Sequence, residues 1–271
     1  MGDKKKYGEL PVTFDDLVAD FKRIGLREGQ TISVHTSMSK IGWVVGGPET
    51  LIRALLHVVG ETGTLMMPAQ TWKNLDPSKG VHWEQPEEWW PVIRENWPAY
   101  DPQVTPVIGM GAVAEMFRKW PGAKRSNHPA RSFAAVGPDA EYLVGDHDLE
   151  NIFGEESPLD KLYKLDGYIL LLGVGHNKNT SLHLAETRAD YPGKHLEEEG
   201  SAVMLKGQRK WITYKTLAVE DEDFTELGEE YNREKEVPTQ MVGDAPVLFM
   251  RQKPLVDWAV RWMEKNRGRK A

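Results

Sequence analysis

Apolar residues follow two periodicities between residues 13 and 68. Thr13, with Asp16 three residues later, is a candidate helix N-cap, and the apolar positions after it recur at helical spacing: Leu17, Phe21 and Ile24. The short run Thr31-Ile-Ser-Val-His35 predicts a buried strand, and Pro48 begins a second helical stripe. Another run, at 64–68, predicts the next strand. Strand, helix and strand in this order predict a βαβ unit with parallel strands.

The later part of the chain continues this mixture of elements. Ser157, followed by Pro158 and Asp160, is a strong helix start. The other patterns predict a helix near 109–120, a strand at 132–136, a buried strand at 168–175, an antiparallel hairpin at 202–205 and 210–217, and an amphipathic helix at 254–266. No repeat or linker divides the chain. We therefore expect a single α/β domain over residues 1–271, built on a mixed sheet.

Residues 72–106 interrupt these periodicities. This segment holds five of the ten tryptophans, including Trp83, and six of the 17 prolines. It is too irregular for a core layer and too aromatic for a linker, so one interpretation is an insertion that forms a lid or a pocket wall. A hydrophobic flap packed on the domain, or an interface in a homodimer, is an equal alternative.

Composition excludes several classes of function. The net charge of −7, from 41 acidic and 34 basic residues, argues against a nucleic-acid-binding surface and is compatible with a cationic ligand. The chain has no cysteine, which excludes disulfides, thiolate zinc sites and an acyl-cysteine intermediate. No apolar run approaches the roughly 20 residues of a membrane helix. The basic N-terminus has no apolar stretch behind it, so we expect a cytoplasmic protein without a signal peptide.

The first candidate site is the loop between the first predicted strand and the second helix. Residues 36–47 are rich in serine and glycine and lead to a helix start, where unpaired N–H groups and the helix dipole suit a phosphate. The spacing matches neither GxxxxGK[ST] nor GxGxxG, so no standard nucleotide loop is indicated. Ordinary turn glycines are the alternative.

The second candidate site follows the strand at 168–175. Asn179 or Thr180 can cap a new helix, which puts His183 in its first turn and Glu186 on the same face. The positive end of the helix dipole disfavours imidazolium there, so a neutral base is available. The carboxylate can orient the ring. A capping or packed histidine is the alternative.

Other chemistries have weaker support. His176, His183 and Glu186 are suitable zinc ligands by type, but no HExxH or similar spacing occurs. The G-x-S-x-G motif that is typical of one class of serine hydrolases does not occur in the sequence. His128-Pro129 indicates a turn before a strand. The acidic stretch 220–236 is typical of a solvated face, and beside a pocket it would attract a polycation.

Five motifs occur in an order that carries a family resemblance. They are Val34-His-Thr-Ser-Met-Ser-Lys-Ile-Gly-Trp-Val-Val-Gly-Gly47, Gly63-Thr-Leu-Met-Met-Pro-Ala-Gln-Thr71, Arg125-Ser-Asn-His-Pro-Ala-Arg-Ser-Phe133, Glu155-Glu-Ser-Pro-Leu159, and Leu171-Leu-Gly-Val-Gly175 leading into Thr180-Ser-Leu-His-Leu-Ala-Glu186. Over about residues 13–263 the chain resembles the aminoglycoside 3-N-acetyltransferase family, in particular its Bacillus-type members.

The resemblance implies a three-layer α/β/α fold with a mixed central sheet and acetyl-CoA as co-substrate, with no metal. It implies that His183 is catalytic, with Glu186 and Thr71 at motif positions beside it. The positions that the resemblance assigns to coenzyme A binding are His35, Thr36, Ser37, Ser39, Val45, Gly46, Gly47, Ser126 and Thr180.

The expected chemistry is transfer of an acetyl group to the 3-amino group of an aminoglycoside. An ammonium group must lose a proton before it attacks a thioester, and a neutral His183 can accept that proton. Thr180, Thr71 or backbone N–H groups are candidate donors to the oxyanion. Without cysteine, direct transfer in a ternary complex is the simplest scheme. The negative charge suits a polycationic acceptor. Acetylation of a different amine, or a catalytically silent coenzyme A-binding relative, remains an alternative.

Overall fold

Helices cover both faces of a seven-stranded sheet in the computed structural model, which describes residues 10–79 and 84–268. The strands are β1 (Thr31–Thr36), β2 (Thr64–Pro68), β3 (Lys124–Arg125), β4 (Phe133–Val136), β5 (Tyr168–Leu172), β6 (Leu196–Leu205), β7 (Gln208–Leu217), β8 (Gln240–Val242) and β9 (Ala245–Arg251). The helices are α1 (Phe14–Ile24), α2 (Pro48–Val59), α3 (Trp90–Asn96), α4 (Gly111–Phe117), α5 (Ala140–Val144), α6 (Pro158–Lys164), α7 (Ser181–Arg188), α8 (Phe224–Glu234) and α9 (Gln252–Asn266).

The sheet is mixed, as the sequence predicts. Its strand order is β3-β4-β2-β1-β5-β9-β8, with β1 parallel to both β2 and β5 and antiparallel pairing elsewhere. The predicted βαβ unit of β1, α2 and β2 is therefore confirmed. Because β1 and β5 are parallel neighbours, the loops that follow them leave the same edge of the sheet.

Alternating side chains of the strands fill two separate cores. Ile169 and Leu171 of β5 belong to one core with residues of α5 to α9, whereas Leu170 and Leu172 belong to the other with residues of α1, α2 and α4. A period of two along a strand requires this division, since successive side chains point to opposite faces. The architecture is the three-layer α/β/α arrangement that the family resemblance implies.

Three elements have bounds that differ from the sequence prediction. The strand predicted at 168–175 ends at Leu172, because Gly173 adopts φ +69° close to the Ser37 carbonyl and the Lys40 side chain. The hairpin of β6 and β7 is longer than predicted and pairs Leu196 with Leu217. Its tight turn uses two left-handed residues, Lys206 and Gly207, at φ +50° and +77°. The helix predicted near 109–120 is shorter, at 111–117.

The helix starts follow the predicted capping chemistry. Thr13 and Asp16 form a reciprocal capping box on α1, and Ser157 accepts a hydrogen bond from the Asp160 N–H at the start of α6. Within residues 10–79 and 84–268, no helix is long and apolar enough to cross a bilayer. Trp83 lies outside the described residues.

Candidate active site

A cavity of about 1010 Å³ lies where the loops after β1 and β5 leave the sheet. Its lining includes residues 34–39, at the end of β1 and in the loop that follows, and residues 177–180 and 183 around the start of α7. Ligands in open α/β folds bind at this position, outside the carboxyl ends of parallel strands. Both candidate sites predicted from the sequence therefore contribute to one cavity.

His183 and Glu186 are joined by a direct hydrogen bond. The His183 Nδ1 atom lies 2.8 Å from Glu186 Oε2, as the spacing of three residues within one helix predicts. His183 is the third residue of α7, in its first turn. Its side chain is 12% exposed and lines the cavity, whereas Glu186 is fully buried. Since Nδ1 is occupied by Glu186, Nε2 is the ring nitrogen that remains for a ligand.

Two aromatic rings fix the plane of the His183 imidazole. Phe153 stacks on it with ring centroids 4.8 Å apart and an interplanar angle of 10°. Phe224, the first residue of α8, packs against it at the same centroid distance but tilted by 54°. The ring is therefore held between two apolar groups while its edge faces a carboxylate. This arrangement preorganises the imidazole and limits its rotation.

A charged network that the sequence interpretation missed surrounds the other Glu186 oxygen. Glu186 Oε1 accepts hydrogen bonds from Arg267 Nη1 at 2.6 Å and from the Glu220 N–H at 2.8 Å. The Tyr191 hydroxyl lies 3.5 Å away. Arg267 follows the end of α9, more than 80 residues from Glu186, and no local sequence pattern indicates that the two meet.

Thr180 begins α7 but does not cap it with its side chain. Asn179 Oδ1 accepts the Ser181 N–H at 3.2 Å, so the capping alternative is resolved in favour of Asn179. The Thr180 hydroxyl instead lies 3.3 Å from His35 Nε2. Burial lowers the pKa of His35 to about 4, so its imidazole is neutral at pH 7. The contact between Thr180 and His35 thus connects the loop after β5 with the end of strand β1.

Of the nine residues assigned to coenzyme A by the resemblance, five line the cavity and four do not. His35, Thr36, Ser37, Ser39 and Thr180 line the cavity. Three others, Val45, Gly46 and Gly47, lie just before α2 and outside the cavity lining. Gly46 and Gly47 adopt φ values of +80° and +61°. Val45 is 43% exposed.

Thr71 and Ser126 are buried behind the cavity wall. The Thr71 hydroxyl donates to the Pro106 carbonyl at 2.7 Å and accepts a hydrogen bond from Arg125 Nη2 at 3.1 Å. Ser126 is 1% exposed, and its Oγ atom lies 2.9 Å from His147 Nδ1. Neither residue lines the cavity. Their hydroxyls are engaged within the protein, and their assigned roles stay predictions.

The His128-Pro129 motif forms the predicted turn before a strand. His128 Nδ1 accepts the N–H groups of Ala130 and Arg131, at 3.2 and 3.0 Å. The His128 ring is fully buried beside His147, and burial lowers the pKa of both. The two histidines are therefore neutral, packed groups.

Part of the cavity wall combines carboxylates with cations. Three of the carboxylates that line the cavity form ion pairs: Asp76 with Arg94, Glu197 with Lys79 and Glu199 with Arg131. Each pair has an N–O distance of 2.7 Å. The Arg131 guanidinium also lies 4.3 Å from the centroid of the Trp72 ring. Trp72 and Asp76 show that the 72–106 segment contributes to the pocket wall.

The acidic stretch 220–236 contributes less to the cavity than its charge suggests. Only Asp221 and Phe224 of this stretch line it. Asp223 binds Arg267, and Glu230 and Glu234 accept hydrogen bonds from the indoles of Trp262 and Trp258. Much of the stretch therefore attaches α8 to α9.

Of the three residues considered for zinc, His176 does not join His183 and Glu186. His176 Nε2 faces Asn232 at 3.2 Å, and its ring packs against Gly228 of α8. In the described part of the chain, no three histidine, aspartate or glutamate side chains are grouped as a metal site would require.

A sequence profile described as aminoglycoside 3-N-acetyltransferase matches residues 34–264. The chain belongs to the aminoglycoside 3-N-acetyltransferase family. It is 40% identical over 258 residues to the SPbeta prophage-derived aminoglycoside N(3')-acetyltransferase-like protein YokD of Bacillus subtilis, covering 95% of this chain and 94% of YokD. It is 37% identical over 278 residues to aminoglycoside N(3)-acetyltransferase VII of Streptomyces paromomycinus, covering 97% and 96% of the two chains. As a member of this family, the protein is an acetyltransferase.

Solved structures of this acetyltransferase family share its fold. The crystal structure of YokD from Bacillus subtilis superposes with a TM-score of 0.89, covering 94% of this chain and all of YokD. Sisomicin-bound AAC-VIa is 28% identical, with a TM-score of 0.87 and coverage of 96% and 100%. AAC-IIIb in a binary complex with CoASH is 30% identical, with a TM-score of 0.85 and coverage of 97% and 100%.

Proposed function

We propose that this acetyltransferase moves the acetyl group of acetyl-CoA directly to the 3-amino group of an aminoglycoside, with His183 as the general base. The observation that carries the proposal is the 2.8 Å bond between His183 Nδ1 and Glu186 Oε2 at the cavity wall. A buried carboxylate in this position orients the imidazole and stabilises the charge that it gains when it accepts a proton. Names of the family and of its relatives, including sisomicin-bound and CoASH-bound structures, support the choice of both substrates.

The proposed reaction proceeds within one ternary complex. His183 Nε2 accepts a proton from the amine as its nitrogen attacks the thioester carbonyl carbon. The new C–N bond forms, the carbonyl oxygen carries the negative charge, and the C–S bond then breaks. The proton passes to the departing thiolate, which leaves as CoASH. A positioned base typically contributes roughly 10²–10⁴-fold to such a step.

Thr180 is the better of the two hydroxyls considered for the oxyanion. Its side chain lines the cavity, near His183 in sequence, and makes no capping bond to α7. The Thr71 hydroxyl already donates to the Pro106 carbonyl. Polar groups are offered by residues 35–39, at the end of β1 and in the loop after it, and by residues 177–180 before α7, and we propose that acetyl-CoA lies between them.

The test is release of free thiol from acetyl-CoA with kanamycin, gentamicin and sisomicin as acceptors. We expect turnover, an acetylated 3-amino group by NMR of the product, and intersecting double-reciprocal plots. Intact-mass measurement after incubation with acetyl-CoA alone should show unmodified protein. Parallel plots together with a protein heavier by one acetyl group would contradict direct transfer. Acetylation at another amine would contradict the regiochemistry.

One observation favours a second candidate, acetylation of an amine with fewer positive charges. Lys79 and Arg131 neutralise Glu197 and Glu199 inside the cavity, and Arg94 does the same for Asp76. A polycation gains most from carboxylates that are free to pair with it. A panel that contains aminoglycosides and simple monoamines separates the candidates: higher kcat/KM for a monoamine than for every aminoglycoside would favour the second.

A further inference from the structure

The protein chain returns to the His183–Glu186 pair at the far end of its last helix. Arg267, the residue after α9, has a side chain only 7% exposed. Its guanidinium reaches Glu186 Oε1 through Nη1 at 2.6 Å. On its other side it binds both carboxylate oxygens of Asp223, at 2.8 and 2.7 Å. Arg267 therefore lies between the carboxylates of Glu186 and Asp223. It is not part of the cavity lining.

The same side chain binds the segment before α8. Arg267 Nη2 donates to the Glu220 carbonyl at 2.9 Å, while the Glu220 N–H donates to Glu186. The neighbouring residue, Asp221, lines the cavity. Gly268 fits closely against Pro192, where a Cβ would approach to 2.7 Å. The end of α9 is therefore packed between α7 and the segment that precedes α8.

Charge balance explains why a cation is needed at this position. Glu186 is fully buried, and a buried carboxylate without a partner is costly. Although burial of the guanidinium acts to lower its pKa, Asp223 and Glu186 raise the pKa of Arg267 above its ordinary value. The cation is therefore permanent across the accessible pH range.

We propose that Arg267 is a positioning residue that keeps Glu186 as an acceptor-only carboxylate and thereby sets the tautomer of His183. An ionised carboxylate cannot donate, so the 2.8 Å contact requires the proton on His183 Nδ1. Nε2 then holds the lone pair that a base needs. This inference rests on the proposed role of His183, and it assigns a function to a residue 84 positions away by number.

The test reads the tautomer without acetyl transfer. Protein labelled with ¹⁵N-histidine is compared by NMR for wild type, Arg267→Met and Arg267→Lys, with the His183 signals assigned by their loss in His183→Gln. We expect the Nδ1–H form of His183 in the wild type and a mixture with Nε2–H in Arg267→Met. Arg267→Lys, which retains the cation, should restore the Nδ1–H form.

A matched control removes an ion pair from α7, the helix that carries His183 and Glu186. Arg188 of α7 binds Asp160 at 2.6 Å and stacks on Tyr163, away from Glu186. Arg188→Met should leave the His183 tautomer unchanged. Thermal unfolding of each variant identifies general loss of structure, and Arg267→Lys remains informative if Arg267→Met does not fold.

Activity provides the second measurement. We expect Arg267→Met to lower kcat about tenfold or more while the Kd for CoASH stays within about twofold, because positioning acts on the base and not on coenzyme binding. A wild-type tautomer in Arg267→Met would overturn the inference. Absence of acetyl transfer by the wild-type protein would instead refute the proposed function, and the tautomer would still be measurable.

Discussion

The Thr180 hydroxyl lies 3.3 Å from His35 Nε2 and so connects the loop after β5 with the end of strand β1. Because Thr180 lines the cavity and makes no capping bond to α7, we expect its hydroxyl to donate to the oxyanion in the transition state. Thr180→Val should lower kcat about 10²-fold, since loss of one oxyanion donor typically has an effect of this size. Thr180→Ser keeps the hydroxyl and should retain most of kcat. Steady-state kinetics with both variants checks this, and equal kcat for Thr180→Val and wild type would refute it.

The Arg131–Glu199 pair predicts strong coupling in stability. Both side chains are almost fully buried, at 6% and 2% exposure. Arg131→Met leaves an unpaired buried carboxylate, so it should lower the free energy of unfolding by about 3–5 kcal/mol. The double variant Arg131→Met with Glu199→Gln should recover much of that loss. Urea denaturation of the four proteins in the cycle measures the coupling, and additive losses would contradict it.

Buried neutral histidines predict a loss of stability in mild acid. Burial lowers the pKa of His147 to about 4 from its ordinary value of 6.5. Between these pH values the unfolded chain binds the proton and the folded protein does not. The free energy of unfolding therefore falls as the pH falls through this window, by up to about 1.4 kcal/mol per pH unit for each such histidine.

His147→Gln should make this dependence on pH less steep, whereas His57→Gln, at an exposed position of α2, should not. Urea denaturation at several pH values between 7 and 5 gives both slopes. Identical slopes for wild type and His147→Gln would be inconsistent with a neutral buried His147.

Gly228 of α8 predicts a steric test of the packing near the site. A Cβ at this position would approach His176 Cγ to 2.0 Å, and His176 belongs to the short 3₁₀ helix at 176–178 before Thr180. Gly228→Ala should therefore displace this segment and lower the unfolding temperature by several degrees. Glu229→Ala, one position along on the exposed side, is the control. An unchanged unfolding temperature in Gly228→Ala would contradict the close packing.

Local patterns in the sequence predict the elements and much of the cavity. The spacing of His183 and Glu186 in one helix is sufficient to predict their contact, and parallel strands bring their loops to the same edge. The cationic partners of Glu186 and Glu199 could not be predicted in this way. Arg267 and Arg131 reach them across the fold, and such pairs depend on tertiary packing that periodicity does not encode. A buried glutamate in a predicted helix indicates only that some cation must be found elsewhere.

The general-base role of His183 is tested most directly by acetyl transfer in His183→Gln. His57→Gln serves as the histidine control on an exposed helix face. We predict that kcat in His183→Gln falls by roughly 10²–10⁴-fold, while the Kd for CoASH stays near the wild-type value, because the imidazole acts on the proton of the amine. His57→Gln should behave as wild type. Turnover in His183→Gln equal to that of wild type would contradict the account.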